Sequence, residues 1–196
     1  APIPESMQTL GVEAFRVKKS SLKNAVEAAL DAQYGEGDWV LALEDPSLYL
    51  NEKLVAARKL VREDVENAAA AALEAVPGVQ SVYTRSALLR GDAASTAFGQ
   101  AYQVCFYPPR SGDLFVASKP YSFWGKYAEY DYGNSHGSPF AYDTHVPLVI
   151  AGPGIVPGLV RERTRMADLA PTIAALLGVA PPPVAEGQPV VRILRK

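Results

Sequence analysis

A chain of 196 residues with 48% hydrophobic content can bury one sizeable core, or one core with an appended lobe. Its formal net charge of −2 argues against a nucleic-acid or anionic-membrane surface, and no apolar run approaches the roughly 18 to 20 residues that span a bilayer. The single cysteine, Cys105, excludes an internal disulfide, and its setting in AYQVCFY reads as a buried core thiol.

Residues 1–10 carry two prolines and little pattern, which predicts an irregular lead-in; they also lack the basic-then-apolar pattern of a signal peptide. Residues 12–17 alternate enough for a short strand. Leu22, Val26, Ala29 and Leu30 recur at helical spacing, predicting a helix over 20–34 that stops at Gly35 and Gly37. WVLAL at 39–43 has strand length, Asp45-Pro46 turns the chain, and a second helical pattern runs over 52–58. The run REDVENAAAAALEA, 62–75, has high helix propensity, acidic residues in its first turn and a Pro77-Gly78 stop.

Beyond it, 79–84 alternates as a strand and 93–100 fits a short helix. Two runs, 102–107 and 114–118, are joined by the turn-rich PPRSGD and predict a hairpin. Residues 39–119 therefore read as an α+β lobe whose sheet is covered by helices on one face. Five aromatics crowd the next stretch (Tyr121, Phe123, Trp124, Tyr127 and Tyr130), as anchors pinning a loop or as a substrate-facing wall. The apolar run 146–151 predicts a buried strand, VRERTRM a further one, and DLAPTIAALLG a helix over 168–177 with Asp168 as its N-cap.

Both histidines, His136 and His145, lie in the loop that runs into the 146–151 segment, where an open α/β sheet presents its site. Neutral imidazole is a common transition-metal ligand, although two surface histidines are the plainer reading. The chain contains no phosphate loop of Walker type, no G-x-S-x-G elbow, no C-x-x-C pair and no H-E-x-x-H helix. His136, His145 and Asp143 could supply three ligands on paper. On an extended chain, however, Asp143, Thr144 and His145 would point alternately to opposite faces, which disfavours a self-sufficient metal site. His145, beside the predicted strand, is expected to be buried and His136 accessible. Arg110 in the PPRSGD turn is a candidate anion-binding residue, or it braces the turn by pairing with Asp113.

The pattern G-x-x-H-G-S-P-x-x-Y-D-T-H-V-P-L, 133–148, followed by D-L-A-P-T-I-A-A-L-L-G, 168–178, resembles the C-terminal part of the alkaline phosphatase superfamily. The nearer likeness is to bacterial alkaline phosphatases with a threonine nucleophile, grouped with type I phosphodiesterase/nucleotide pyrophosphatase enzymes. Residues 34–42, 49–51 and the R-S-G-D turn at 110–113 are similar to that group too. The resemblance implies an α/β fold: part of an alkaline-phosphatase-like sheet with helices on its faces, plus the small α+β lobe. Residues 133–196 would then hold the site loop, a core strand and the C-terminal helix.

By the same resemblance His136 is a ligand to one of two zinc ions, while His145 and Asp143 support the site from behind or are structural. The zinc ions would activate the nucleophile and stabilise an in-line displacement on a phosphate ester. This chain carries no match to the family's nucleophile or to its D-H-G ligands, so it assigns no catalytic residue. What the resemblance implies is a C-terminal fragment of a phosphoric ester hydrolase, a phosphomonoesterase before a phosphodiesterase. The missing N-terminal half of the domain would be its partner, and the fragment would be inactive alone, or a non-catalytic accessory domain. A periplasmic or secreted location is implied, with no nucleic-acid or membrane partner.

Overall fold

In the computed structural model, which describes residues 3–130 and 132–195, the N-terminal lead-in winds into a short helix, α1 (Pro4–Thr9). Proline sits at its first position, where a missing N–H costs nothing, and Glu5 lies at the positive end of the helix. Ala1 and Pro2 of the expected irregular segment lie outside the described residues, as does Lys196 of the tail. Of the strand expected over 12–17, only β1 (Arg16–Val17) forms.

The helix α2 (Lys19–Tyr34) buries Leu22, Val26 and Leu30 completely, four residues apart along one stripe. The hairpin β2 (Val40–Glu44) and β3 (Ser47–Leu50) folds about Asp45-Pro46, whose peptide bond is cis. Helix α3 (Glu52–Ala57) follows, with the Asn51 side chain accepting from the Leu54 N–H as its cap. Helix α4 (Arg62–Glu74) presents Val65, Ala69 and Leu73 to α2 at the same four-residue spacing, and its alanines permit close approach. Burying one such leucine contributes about 1.5–3 kcal/mol.

After β4 (Val79–Thr84) come two short helices, α5 (Arg85–Arg90) and α6 (Gly99–Cys105), then β5 (Leu114–Ser118), β6 (Phe123–Trp124) and α7 (Ala141–Thr144). Four strands make an antiparallel sheet in the order β2-β3-β5-β4, and β1 pairs in parallel with β6. The mixed α/β architecture expected from the sequence is present. In β5, Leu114 and Val116 enter the core shared with α2 and α4, while Phe115 and Ala117 enter a second cluster with Tyr83, Leu88 and Ala93. Helices therefore cover both faces of the sheet, not the one face expected.

The cause is the misread run 102–107. It is helical up to Cys105, so the expected hairpin with 114–118 does not form. Tyr102 and Phe106, four apart, pack on Phe115, while Val104 and Cys105 point to solvent. Alternation of apolar residues was present, but the residues that turn inward follow the helical period. Cys105 is consequently exposed, not a core thiol. Gly99 is required here, because a Cβ would lie 1.7 Å from the Ala93 carbonyl oxygen.

By contact, the chain divides into two units, Ala1–Val146 and Pro147–Lys196. In the second, α8 (Leu169–Leu177) follows a 3-10 turn over Met166–Asp168 and ends at Gly178 in the left-handed region. Thr172, fully buried, donates to the Asp168 carbonyl at 2.6 Å and accepts from the Val190 N–H at 2.9 Å, tying the tail to the helix. An isolated bridge joins Ile155 to Leu194. The run 146–151 is not a strand, nor is VRERTRM; among the described residues no neighbouring backbone pairs with either. Strand propensity without a partner strand leaves extended chain.

Asp168 does not cap α8 through its side chain as expected. Its carboxylate instead accepts from the N–H groups of Gln188 and Arg165, each at 2.9 Å, and these bonds lower its pKa below the ordinary aspartate value. A depressed folded-state pKa contributes stability above the unfolded value of 3.8, and that stability is lost as pH falls through the folded value. Asp168→Asn is therefore expected to lower the melting temperature of the second unit at pH 7, with the gap to the parent protein closing below the folded pKa. A gap that is constant with pH would show that charge is not the cause.

Candidate functional site

His136 lies in the glycine-rich loop after Gly133 and is exposed. It borders a small pocket of about 40 Å³, whose walls include Asp45 from the β2–β3 turn, Trp124 of β6, and Tyr142 and Asp143 of α7. The loop is pinned at both ends. Upstream, Arg16 donates to the carbonyls of Tyr132 at 3.2 Å and Gly133 at 2.6 Å, and it is itself held by Glu5. Downstream, one carboxylate oxygen of Asp143 accepts from both the backbone N–H and the hydroxyl of Ser138, at 3.0 and 2.6 Å. These charge-assisted bonds fix a segment whose own side chains pack little.

The 141–144 stretch is a helical turn, not the extended chain assumed in judging its side chains, so Asp143 and His145 do not simply alternate. Aromatic residues form a stack beside the pocket. Tyr121 and Tyr142 have ring centroids 5.1 Å apart, Phe140 stacks on Tyr142 at 5.5 Å, and the Tyr142 hydroxyl accepts from the Tyr121 N–H at 2.9 Å. Tyr121 takes a positive φ of 59° to make this bond. Phe123 and Trp124 are buried anchors, whereas Tyr127, Tyr130 and Tyr132 are exposed.

Asp45 is the pocket residue that the sequence reading passed over as a mere turn. As a whole residue it is exposed, yet the protein around its carboxyl group pushes the pKa up to about 6 by desolvation, with the Lys19 and His136 charges pulling the other way. No spacing rule could have joined Asp45 to a histidine 91 residues later (136 − 45 = 91); the fold brings the β2–β3 turn, β6 and the histidine loop to one pocket.

His136 and Asp143 thus share a pocket, and two other expected residues do not join it. His145 is exposed rather than buried, since the strand that was to cover it is absent. Arg110 is exposed with its guanidinium 5.2 Å from the Tyr107 ring, and it does not pair with Asp113. Asp113 pairs with Arg62, and Arg85 braces the turn by donating to the carbonyls of Pro108 and Ser111. Among the described residues, no three His, Cys, Asp or Glu side chains form a metal-ligand set. His136 fits one imidazole donor; the described residues do not complete a zinc centre.

No protein-family model matches the chain. It is 29% identical over 174 residues to a calcium-transporting ATPase of Myroides odoratus, covering 87% of this chain and 30% of that protein. It is 26% identical over 173 residues to the alkaline phosphatase PafA of Elizabethkingia meningoseptica, covering 88% and 31%. The crystal structure of wild-type PafA superposes on the whole chain with a TM-score of 0.84 at 25% identity, using 36% of the PafA chain. Over most of its length the chain is similar in sequence and in fold to an alkaline phosphatase. The chain spans about a third of the length of the relatives it matches. Among its described residues, no helix is long and apolar enough to cross a membrane.

Proposed function

We propose that this chain supplies part of the site of a zinc-dependent phosphoric ester hydrolase acting on phosphomonoesters, with His136 as one neutral imidazole ligand. The observation that carries the reading is the placement of His136: exposed at the rim of a pocket, on a loop pinned by Arg16 and Asp143, in a chain similar to PafA over most of its length. The names of the two curated relatives have phosphoryl chemistry in common. Arg16 and Asp143 hold the loop, Asp45 presents a carboxylate beside the imidazole, and the aromatic stack walls the pocket. One imidazole does not hold two metals, and no activated nucleophile is encoded, so the chain alone is not the enzyme. The resemblance also supports a periplasmic or secreted location.

A chimera in which this chain replaces the matching third of PafA tests the reading, with the isolated chain as control. With zinc and a chromogenic aryl phosphate, the chimera is expected to turn over and His136→Ala within it to lose at least about 100-fold. The isolated chain should stay at background. Preference for a diester would favour a phosphodiesterase. A folded but inert chimera would favour an accessory domain, and turnover by the isolated chain that vanishes in His136→Ala would overturn the shared-site reading.

A further inference from the structure

A second and larger cavity lies between α3, α4 and the end of β3, and it shares no lining residue with the His136 pocket. Its volume is about 290 Å³. An apolar cavity of ~150 Å³ already accepts a benzene ring. The walls are the side chains of Leu50, Val55, Ala56, Leu60 and Val65, so the interior is apolar. Three charged residues also line it: Glu52, which is exposed, Arg62, which is partly exposed, and Asp113, which is buried.

The charges in this lining do not cancel. Arg62 donates from Nη2 to Glu52 at 2.7 Å and to Asp113, and from Nε to Glu66 at 2.9 Å. Among the cavity's own lining residues one guanidinium faces two carboxylates, Glu52 and Asp113, an excess of one negative charge, and Glu66 lies fully buried behind Arg62. Burial works against the Arg62 charge, but Glu66, Asp113 and Glu52 outweigh it and hold its pKa above the ordinary arginine value. Asp113 and Glu66 are spoken for, since Asp113 also accepts from the Leu50 N–H at 2.7 Å and Glu66 from the Ser86 N–H at 2.9 Å. Glu52 is largely exposed and gives one oxygen to Arg62, which leaves the other for a ligand. An apolar lining with one net negative charge and an exposed Glu52 is complementary to a molecule that is apolar at one end and cationic at the other.

We propose that this cavity binds a small organic cation with an apolar body, such as an aryl- or alkylammonium. The apolar part fills the space under α3, and the ammonium group sits against Glu52. The carboxylates behind Arg62 lower the attraction that guanidinium would offer an anion. The proposal is independent of the phosphatase reading, because it uses none of that pocket's residues.

Three isosteric probes distinguish the charge: benzylammonium, benzyl alcohol and benzoate, titrated into the chain by calorimetry and followed by ligand-observed NMR. Benzylammonium is expected to bind at least tenfold tighter than benzyl alcohol, and to lose most of that advantage in about 1 M salt, where the screening length is about 3 Å. Glu52→Gln, at an exposed position, should narrow the gap between amine and alcohol. Ala56→Phe, at an exposed lining position, should fill the cavity and abolish binding of all probes with an unchanged circular dichroism spectrum. Benzoate binding tighter than benzylammonium, binding that survives Ala56→Phe, or no binding by any probe would overturn the proposal.

Discussion

Trp39→Ala is expected to destabilise the first unit by about 3–5 kcal/mol, the range for removing a large buried aromatic. Trp39 is fully buried. Its indole N–H donates to Asp31 at 3.0 Å, its ring lies under the Arg58 guanidinium at 4.8 Å, and Tyr34 packs at 5.9 Å. The polar partners survive the loss. Asp31 still accepts from the Gly37 N–H, and Arg58 still donates to the carbonyls of Tyr34, Gly35 and Glu36. The cavity is then the dominant cost. Because domains hold only about 5–15 kcal/mol in total, the variant should unfold at far lower urea, with Trp124 as the fluorescent reporter. Trp39→Phe, which keeps most of the volume, should lose much less. Equal losses in the two variants would place the energy in the indole hydrogen bond and not in packing.

Glu66→Ala comes next in size, at about 2–3 kcal/mol. Glu66 is an acid at zero exposure inside an otherwise apolar helix face, and it is there because both oxygens are used. One accepts from Arg62 and the other from the Ser86 N–H at the start of α5, so a single carboxylate joins two helices. Alanine orphans the Ser86 donor, which costs about 1–3 kcal/mol, and leaves a small void. Arg62, 40% exposed, keeps Glu52 and Asp113 and adds little to the loss. Glu66→Gln should recover part of it, since an amide oxygen can still accept from Ser86. A loss in Glu66→Ala under about 1 kcal/mol, read from the urea midpoint at unchanged slope, would mean that water replaces the carboxylate.

The parts of this fold legible in the sequence are those whose patterns are satisfied locally. Leu22, Val26 and Leu30, then Val65, Ala69 and Leu73, follow one helical period, and the structure forms both helices within a residue of the expected limits. The strands at 79–84 and 114–118 were equally plain, as was the helix ending at Gly178. Misreadings arose where two periods fit or where a partner was needed. Tyr102, Val104 and Phe106 alternate, but Tyr102 and Phe106 are also one helical turn apart, and the Phe115 surface selects the turn. The 146–151 run has strand residues without a strand beside it, and the burial expected of His145 depended on that strand. Of the candidate site, exposed His136 on its glycine-rich loop could be read directly. Asp45 could not, because only the folded hairpin turn delivers it to the pocket.

That unpaired run also bears on how the protein behaves in crowded solution. Leu148 and Val149 are exposed, next to backbone donors and acceptors outside any ladder, the kind of surface to which a second extended chain can add. Prolines bracket it. Only five residues, 148–152, lie between Pro147 and Pro153 (153 − 147 − 1 = 5), and the last is Gly152. Fibril-forming segments need about six or seven residues free of proline. Each proline removes a hydrogen-bond donor where an intruding strand would extend its register. Any self-association of the isolated chain through this run is therefore expected to end in small reversible clusters, seen by light scattering without a thioflavin signal, instead of fibres.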